Sequence, residues 1–586
     1  MDDQQRRLAE ELLASDKKTA GFAKKLYFGG FESSLVFPYP VLSKEKQTEL
    51  DTFLAKVKDF AYKEIDPDWI DRHGEIPASV ISGLTKLGVM GMTVSKELGG
   101  LGMSQQAYCK VAELLAGRCA STSLFVSVHQ SIGLKALILF GTPKQRERWL
   151  GPLARAEKIA AFSLTEPNAG SDASGVETRA VYDPVKNVYR ITGRKQWTTN
   201  GSVAQILTVM AKTEIDTPKG KQDKITAFLV TSDMPGFKVA VPALEKVGHR
   251  GTRTANLEFV DMEVPAENIL GPIGGGLRVC LTVLDYGRTT FGAMCTGAAK
   301  VLMEMANTHA INRHQFGRPL ASFGLVKKKI AKIAALTYAM DASTYMTAGL
   351  IDAHVEDIML ESAILKVFTS EALWAIIYDT MQIYGGRSLF TSCPLERMMR
   401  DARLNMIGEG SNDVLRAFIA AVGMREVGLE MKAFLEAFKT PFKESKFIRS
   451  MFSSLFSRLS RPDVTVRADI LQREAQKLSS LIRRFSFGIG KLLAYYREGV
   501  VEKQLELERI AECAIALYTS SAVLSKIDAT MHGEITTASV ENDVAAAKLY
   551  CRLAFGQVEH NLRTLFCSMD SDMEKVSHCY TGVDVS

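Results

Sequence analysis

The stretch "VYRITGRKQWTTNG", residues 188–201, is rich in β-branched and aromatic residues and is closed by Asn and Gly, which reads as a strand running into a turn. "ILTVMAKT" (206–213), "KITAFLVTS" (224–232), "FKVAV" (237–241) and "NLEFVDMEV" (256–264) share that texture. Short strands at this spacing predict an antiparallel sheet or β-barrel over residues 159–274, not βαβ units. On both sides the pattern turns helical, with apolar residues three and four apart, as in "KQTELDTFLAKVKDFAYKEI" (46–65). The reading is therefore α+β and mostly helical. It comprises an arm (1–44), a helical domain (45–158), the middle β domain (159–274), a helical bundle (275–432), a basic amphipathic linker (433–466) and a last helical domain (467–586).

A chain of 586 residues is too long for one core, and 46% hydrophobic with 24% charged residues is ordinary for a folded protein. A net charge of +6 is mild for this size and implies no nucleic-acid partner. Nine cysteines, none at CxxC spacing, favour a reducing compartment over a disulfide framework. The N-terminus lacks both an apolar signal core and the acid-poor look of a transit peptide. The chain is expected either to stay in a bacterial cytoplasm or to have lost an organellar presequence. No apolar run reads as long enough to span a bilayer.

There is no Walker A run, no GxSxG elbow and no HExxH. "GPIGGG" (271–276) follows a turn and lacks a strand–loop–helix context, so it reads as a connection. The histidines are isolated, and His129 and His314 read as packing or surface residues; no metal site is expected. Two β-region segments are unusual. "AFSLTEPNAGSDASG" (161–175) gathers Thr165, Glu166, Ser171 and Asp172 around Pro and Gly, in a loop that offers hydroxyls and backbone N–H groups to a ligand. "GRKQWTTNG" (193–201) sets Trp197 beside two threonines, where an indole could cover a planar ring. In "NMIGEGSNDVLRAF" (405–418), Glu409 stands between two glycines just before a helix start. Capping chemistry alone would account for such a run, whereas glycine flanks also leave a carboxylate uncovered.

Together, "TEPNAGSD", "GRKQWTTNG", "NRHQFGRPL" (312–320), "MQIYGG" (381–386) and "GEGSND" (408–413) resemble the acyl-CoA dehydrogenase family over about residues 45–430. The arm "VFPYPVLS" (36–43) and the long helical extension are similar to its very-long-chain branch. The resemblance implies a helical domain, a β-barrel and a four-helix bundle that hold FAD without a Rossmann loop. By motif match, Phe162, Leu164, Thr165 and Ser171 would line the flavin, with Trp197 and Thr199 over its ring. Arg313, Phe316, Gln382, Ile383, Gly385, Gly386, Ser411, Asn412 and Asp413 would meet its pyrophosphate and adenine portions, partly from the second subunit of a homodimer. Ser171, Asp285, Arg288 and Gly410 would bind substrate. Glu409 would be the base that takes the α-proton of an acyl-CoA. In related branches the base sits at the position of Gly287 in "LDYGRTT" (284–290), and glycine cannot do that work. Gly408 replaces the family's usual aromatic residue, which widens the site, and Ser411 replaces its threonine.

The implied activity is FAD-dependent α,β-dehydrogenation of long-chain acyl-CoA, with electrons passed to electron-transfer flavoprotein. An acyl-CoA oxidase and a respiratory-complex assembly scaffold are the alternatives. "KESKFIRSMFSSLFSRLSR" (443–461) has an apolar face of Phe, Ile, Met and Leu and a cationic opposite face, which predicts a helix lying on an anionic membrane. The enzyme is thus expected to be peripheral. It would face the bacterial cytoplasm, or the matrix side of the mitochondrial inner membrane if a presequence has been removed.

Overall fold

The computed structural model describes residues 21–218, 220–437, 460–567 and 569–583, and two compact units divide them. The units are not contiguous in sequence. One holds residues 41–354 and 365–411; the other holds the described residues of 18–40, 355–364 and 412–586. The membrane helix expected at 443–461 lies, but for its last two residues, outside the described residues.

The first unit begins with helices whose starts are written locally. Ser43 caps Lys44–Glu64 by accepting from the Lys46 N–H, and Thr142 and Gln145 form a reciprocal capping box on Pro143–Ala154. Val57, Leu84, Met90, Val111, Leu115 and Phe125 make one buried core. Helix Ala120–Ser127 continues through a π-helical segment, Val128–Leu134, into Lys135–Phe140. A π segment inside a helix often marks a functional region.

The sheet follows: β1 (Ala160–Ser163), β2 (Arg179–Asp183), β3 (Val188–Thr199), β4 (Ile206–Thr217), β5 (Gly220–Thr231), β6 (Phe237–Val241), β7 (Thr254–Pro265) and β8 (Ile269–Leu270). The strands stand in the order β6-β7-β3-β2-β4-β5-β8, with β1 also on β4. Texture predicted the strands, but the pairing is mixed: β1 and β2 run parallel to β4 and the other pairs are antiparallel. The intervening chain, with β2 and β3 between β1 and β4 and β3 between β2 and β4, supplies the length that each parallel return needs. One face buries Ile191, Leu207, Phe228, Leu257, Phe259 and Met262. In β3 the register to β7 shifts between Ile191 and Gly193 and again between Lys195 and Thr198, so a bulge falls on Trp197.

Helices Gly276–Asn312 and Gly324–Asp352 follow, with the later part of Met359–Tyr384 and then Pro394–Leu404. Lys300 clamps two of these elements to the N-terminal helices, reaching Glu113 at 2.6 Å and also pairing with Asp341.

In the second unit the arm folds as short helices, Phe22–Tyr27 in its helix-prone part and Ser33–Val36 within the run "GGFESSLVFPYP" (29–40), which reads as extended. Tyr27 donates to the Ile419 carbonyl at 2.8 Å, and its ring occupies the space that a side chain at Gly423 would need. Helices Asn412–Ala437, Gln472–Tyr496, Gln504–Met531, Val540–Arg563 and Met569–Thr581 complete the unit. Two helical stretches, Ala120–Phe140 and Gln504–Met531, are long and apolar enough to cross a bilayer, contrary to the sequence reading. Their apolar windows are 83% and 89% buried within the protein, so packing accounts for their hydropathy.

Candidate active site

Glu409 sits in a left-handed turn, with φ +61° there and +97° at Gly410. A side chain at positive φ is uncommon and is held only where the surroundings over-determine it. Two side chains grip this turn. Arg288 donates Nε to the Glu409 carbonyl at 3.4 Å, and Lys366 donates to the Gly410 carbonyl at 2.6 Å. The residue as a whole is half-buried, but its carboxylate oxygen Oε2 is out of solvent and has no hydrogen-bond partner among the described residues. Burial pushes the Glu409 carboxyl above the ordinary carboxylate range, and the charges of Arg288 and Lys366 oppose that rise without cancelling it. Among the described residues no hydrogen bond uses the Glu409 N–H, which leaves a donor beside the carboxylate.

Gly287 faces this carboxylate. A Cβ there would lie 3.1 Å from Glu409 Oε2 and 3.0 Å from Ile132 Cγ2, so the bare glycine makes the space that the carboxylate uses. The partner it faces, Ile132, belongs to the π segment. Asp285 and Arg288, both buried, lie one turn apart on the same helix as Gly287, with 3.5 Å between Oδ1 and Nη1. Gly408 has room: a Cβ there would meet Leu404 at an ordinary 3.5 Å.

The β-domain loop is fixed by a buried ion pair that sequence reasoning left unpaired. Lys195 donates to Glu166 Oε1 at 2.6 Å and to the Leu164 carbonyl at 2.9 Å. The Glu177 and Thr178 N–H groups donate to the same carboxylate, at 2.5 and 3.1 Å. Burial would raise Glu166, but the Lys195 charge and these hydrogen bonds hold it below the usual carboxylate range. Burial lowers Lys195 to about 8 despite its partner. The Gln196 N–H donates to the Thr165 carbonyl at 2.9 Å, so the loop and the Trp197 hairpin run side by side. Trp197 adopts φ +58° at the bulge and stays 62% exposed, next in the chain to Gln196, which bonds Thr165. The buried Cys280 thiol, pushed up to about 12 by burial, feels Arg288, Glu409 and Lys195 together.

Phe162 is buried in β1; Leu164 and Thr165 are half-buried and Ser171 is exposed in the following loop. Arg313, Phe316, Gln382, Gly385 and Gly386 lie at the surface of the first unit, with Ile383 buried among them. Phe316 is 94% exposed at φ +53°. No hydrogen bond or ion pair among the described residues joins them to the Trp197 hairpin. Ser411 ends the first unit, while Asn412, buried, and Asp413, exposed, open a helix of the second. His129 is a packing residue: its Nδ1 accepts from the Ala160 N–H at 3.0 Å, so Nε2 donates to the Leu153 carbonyl at 3.1 Å. Burial lowers it to about 4, which keeps it neutral. No cluster that could hold a metal occurs among the described residues. Lys366, Ile132 and the Glu166–Lys195 pair went unnoticed in the sequence, because nothing local marks them.

The chain matches four domain families: acyl-CoA dehydrogenase N-terminal domain over residues 47–157, middle domain over 161–262 and C-terminal domain over 274–424, and the ACAD9/ACADV C-terminal domain over 469–580. It belongs to the acyl-CoA dehydrogenase family, and is an oxidoreductase acting on a CH–CH bond. Within that family it is 33% identical to the bovine mitochondrial very long-chain specific acyl-CoA dehydrogenase, over 96% of this chain and 87% of that one. The structure is similar to an acyl-CoA dehydrogenase complexed with FAD from Bacillus anthracis, with a TM-score of 0.78, 27% identity and coverage of 93% and 92%. It is also similar to a chain in a structure of the electron transferring flavoprotein of Acidaminococcus fermentans, with a TM-score of 0.60, 31% identity and coverage of 65% and 98%.

The family is FAD-dependent, and the residues present fit a flavin. An exposed indole face, flanking threonines and an ion-paired loop that aligns main-chain groups offer what a planar, polar-edged ring system needs.

Proposed function

We propose that this chain is an FAD-dependent dehydrogenase of long and very long acyl-CoAs, working as a homodimer on a membrane surface and passing electrons to electron-transfer flavoprotein. The observation that carries the chemistry is the buried, unpartnered Oε2 of Glu409 opposite Gly287. A thioester α-proton is weakly acidic, so its acceptor works best with a raised pKa in a site that excludes water. Glu409 removes the proton from Cα, and its own N–H is available to the thioester oxygen as charge develops there. A bound FAD would supply the acceptor for the hydride leaving Cβ. Arg288 and Lys366 hold the turn that aims the carboxylate.

Long substrates are supported by the similarity to the very long-chain specific relatives and by Gly408, whose missing side chain leaves space beside the base. The dimer is supported by Phe316, Leu389 and Phe390, which expose 94%, 72% and 66% of themselves near Arg313 and Gly386 in sequence. A peripheral membrane position rests on the composition of residues 443–461. Neither an oxidase nor an assembly scaffold is favoured by the relatives found.

The test is anaerobic bleaching of the flavin by saturated acyl-CoAs from medium to very long chain. Glu409→Gln should keep FAD and bind acyl-CoA, yet lose several orders of magnitude in reduction rate. Near-normal reduction by that variant would remove Glu409 from the role. Flotation with anionic liposomes, with and without residues 443–461, tests the membrane reading.

A further inference from the structure

Lys366 is wholly buried on helix Met359–Tyr384, and its Nζ reaches the Gly410 carbonyl at 2.6 Å. Arg288, from helix Gly276–Asn312, reaches the preceding carbonyl, that of Glu409. Two cations from two helices thus hold consecutive carbonyls of a turn whose two residues both have positive φ. An L-residue held there is strained, so the grip has a strain to offset. A neutral donor could satisfy one carbonyl equally well, whereas burying an ammonium is unfavourable unless an anion compensates it. Among the charged and titratable groups that act on Lys366 are Cys295 and Arg288 from helix Gly276–Asn312, Glu409 from the turn, and Glu371 from its own helix. Glu409 is the one among them at the reacting centre, and Lys366 is one of two charges that favour its ionised form. Burial brings Lys366 itself down to about 7.

We infer that Lys366 is a positioning residue for proton abstraction: it holds the Glu409–Gly410 turn through the Gly410 carbonyl and biases the Glu409 carboxylate toward its proton-accepting form. This rests on Glu409 being the base. The two parts of the role separate by sign. Loss of the hydrogen bond alone slows the reaction equally at every pH. Loss of the ammonium removes an attraction that only the carboxylate anion enjoys, so the Glu409 pKa rises and the acid limb of the rate profile moves to higher pH.

The experiment measures anaerobic flavin reduction by a long-chain acyl-CoA across the neutral pH range, for holoenzymes carrying Lys366→Met, Lys366→Gln and Lys366→Arg. Bound FAD is checked from the visible spectrum. Met and Gln should lower the rate ~10–100-fold near neutral pH and shift the acid limb up by about one pH unit, a tenfold change in the ionisation equilibrium. Arg, which keeps the charge, should return the limb toward its wild-type position even where the rate is only partly recovered. Gln keeps a donor, so it separates charge from hydrogen bonding should Met fail to fold. A limb that stays in place in Gln, or one that moves as far in Arg as in Gln, overturns the inference. Absence of reduction in the wild type, or full reduction in Glu409→Gln, would instead overturn the reading beneath it.

Discussion

Replacing Gly287 by alanine separates stability from catalysis at one atom. The position is inside helix Gly276–Asn312, where alanine is favoured over glycine by about 1 kcal/mol. The new methyl would stand 3.0 Å from Ile132 Cγ2 and 3.1 Å from Glu409 Oε2. Non-bonded carbon contacts are best near ~3.5–4.0 Å, so these neighbours must yield by roughly half an ångström. Crowding of that size costs about 1 kcal/mol or more, which offsets the helix gain and leaves stability near that of the wild type. The carboxylate fares worse. A displacement of about 1 Å at a reacting group costs roughly 100-fold, so half of that predicts a ~10-fold loss in proton abstraction. The methyl also takes up space beside an already buried carboxyl, which raises its pKa further. Thermal unfolding of the holoenzyme should therefore change little while single-turnover flavin reduction falls by about tenfold. Reduction within twofold of the wild type, with FAD retained, would show that Glu409 does not work in the space opposite Gly287.

Gly408→Tyr restores an aromatic residue where the backbone accepts a Cβ at 3.5 Å from Leu404. It should fold, retain FAD and move the chain-length optimum toward shorter acyl-CoAs, which kcat/KM across an acyl-CoA series reads directly. In the second unit, Glu361 is buried and accepts from the Ala23 N–H at 2.7 Å, and burial raises its carboxyl to about 7. Because the folded form binds this proton more tightly than the unfolded chain, stability is greatest in acid and falls as pH rises toward about 7. Glu361→Gln should match the wild type near pH ~5 and exceed it above neutrality by on the order of 1–3 kcal/mol. Hydrogen exchange of the arm helices at both pH values is the check, and a pH-independent difference between the two proteins would contradict it.

Much of this protein was legible in one dimension. Strand texture separated the sheet from the helical blocks because β-branched residues and turn residues act within a few positions. Glu409 stood out because glycine on both sides has a local meaning, and the structure gives it the left-handed backbone that such flanks suggest. Five short motifs in order carried the family, as each is a contiguous run that can be read without knowing which segments meet in space. The remainder needed three dimensions. A mixed sheet and an antiparallel one have the same strand texture, since pairing depends on which strands meet. The arm's grouping with residues 355–364 and with the chain from 412 onward follows from packing between distant segments, such as Tyr27 in the space at Gly423. Lys366 looks like any lysine of a helical pattern, and Lys195 like any polar residue of a hairpin. Their importance comes from Gly410 and Glu166, which lie 44 and 29 residues away in the chain. The sequence by itself determined which groups were available to the chemistry. Tertiary structure decided which of them were stripped of water and which charges faced them, because desolvation and Coulomb energy depend on distance through space and not along the chain.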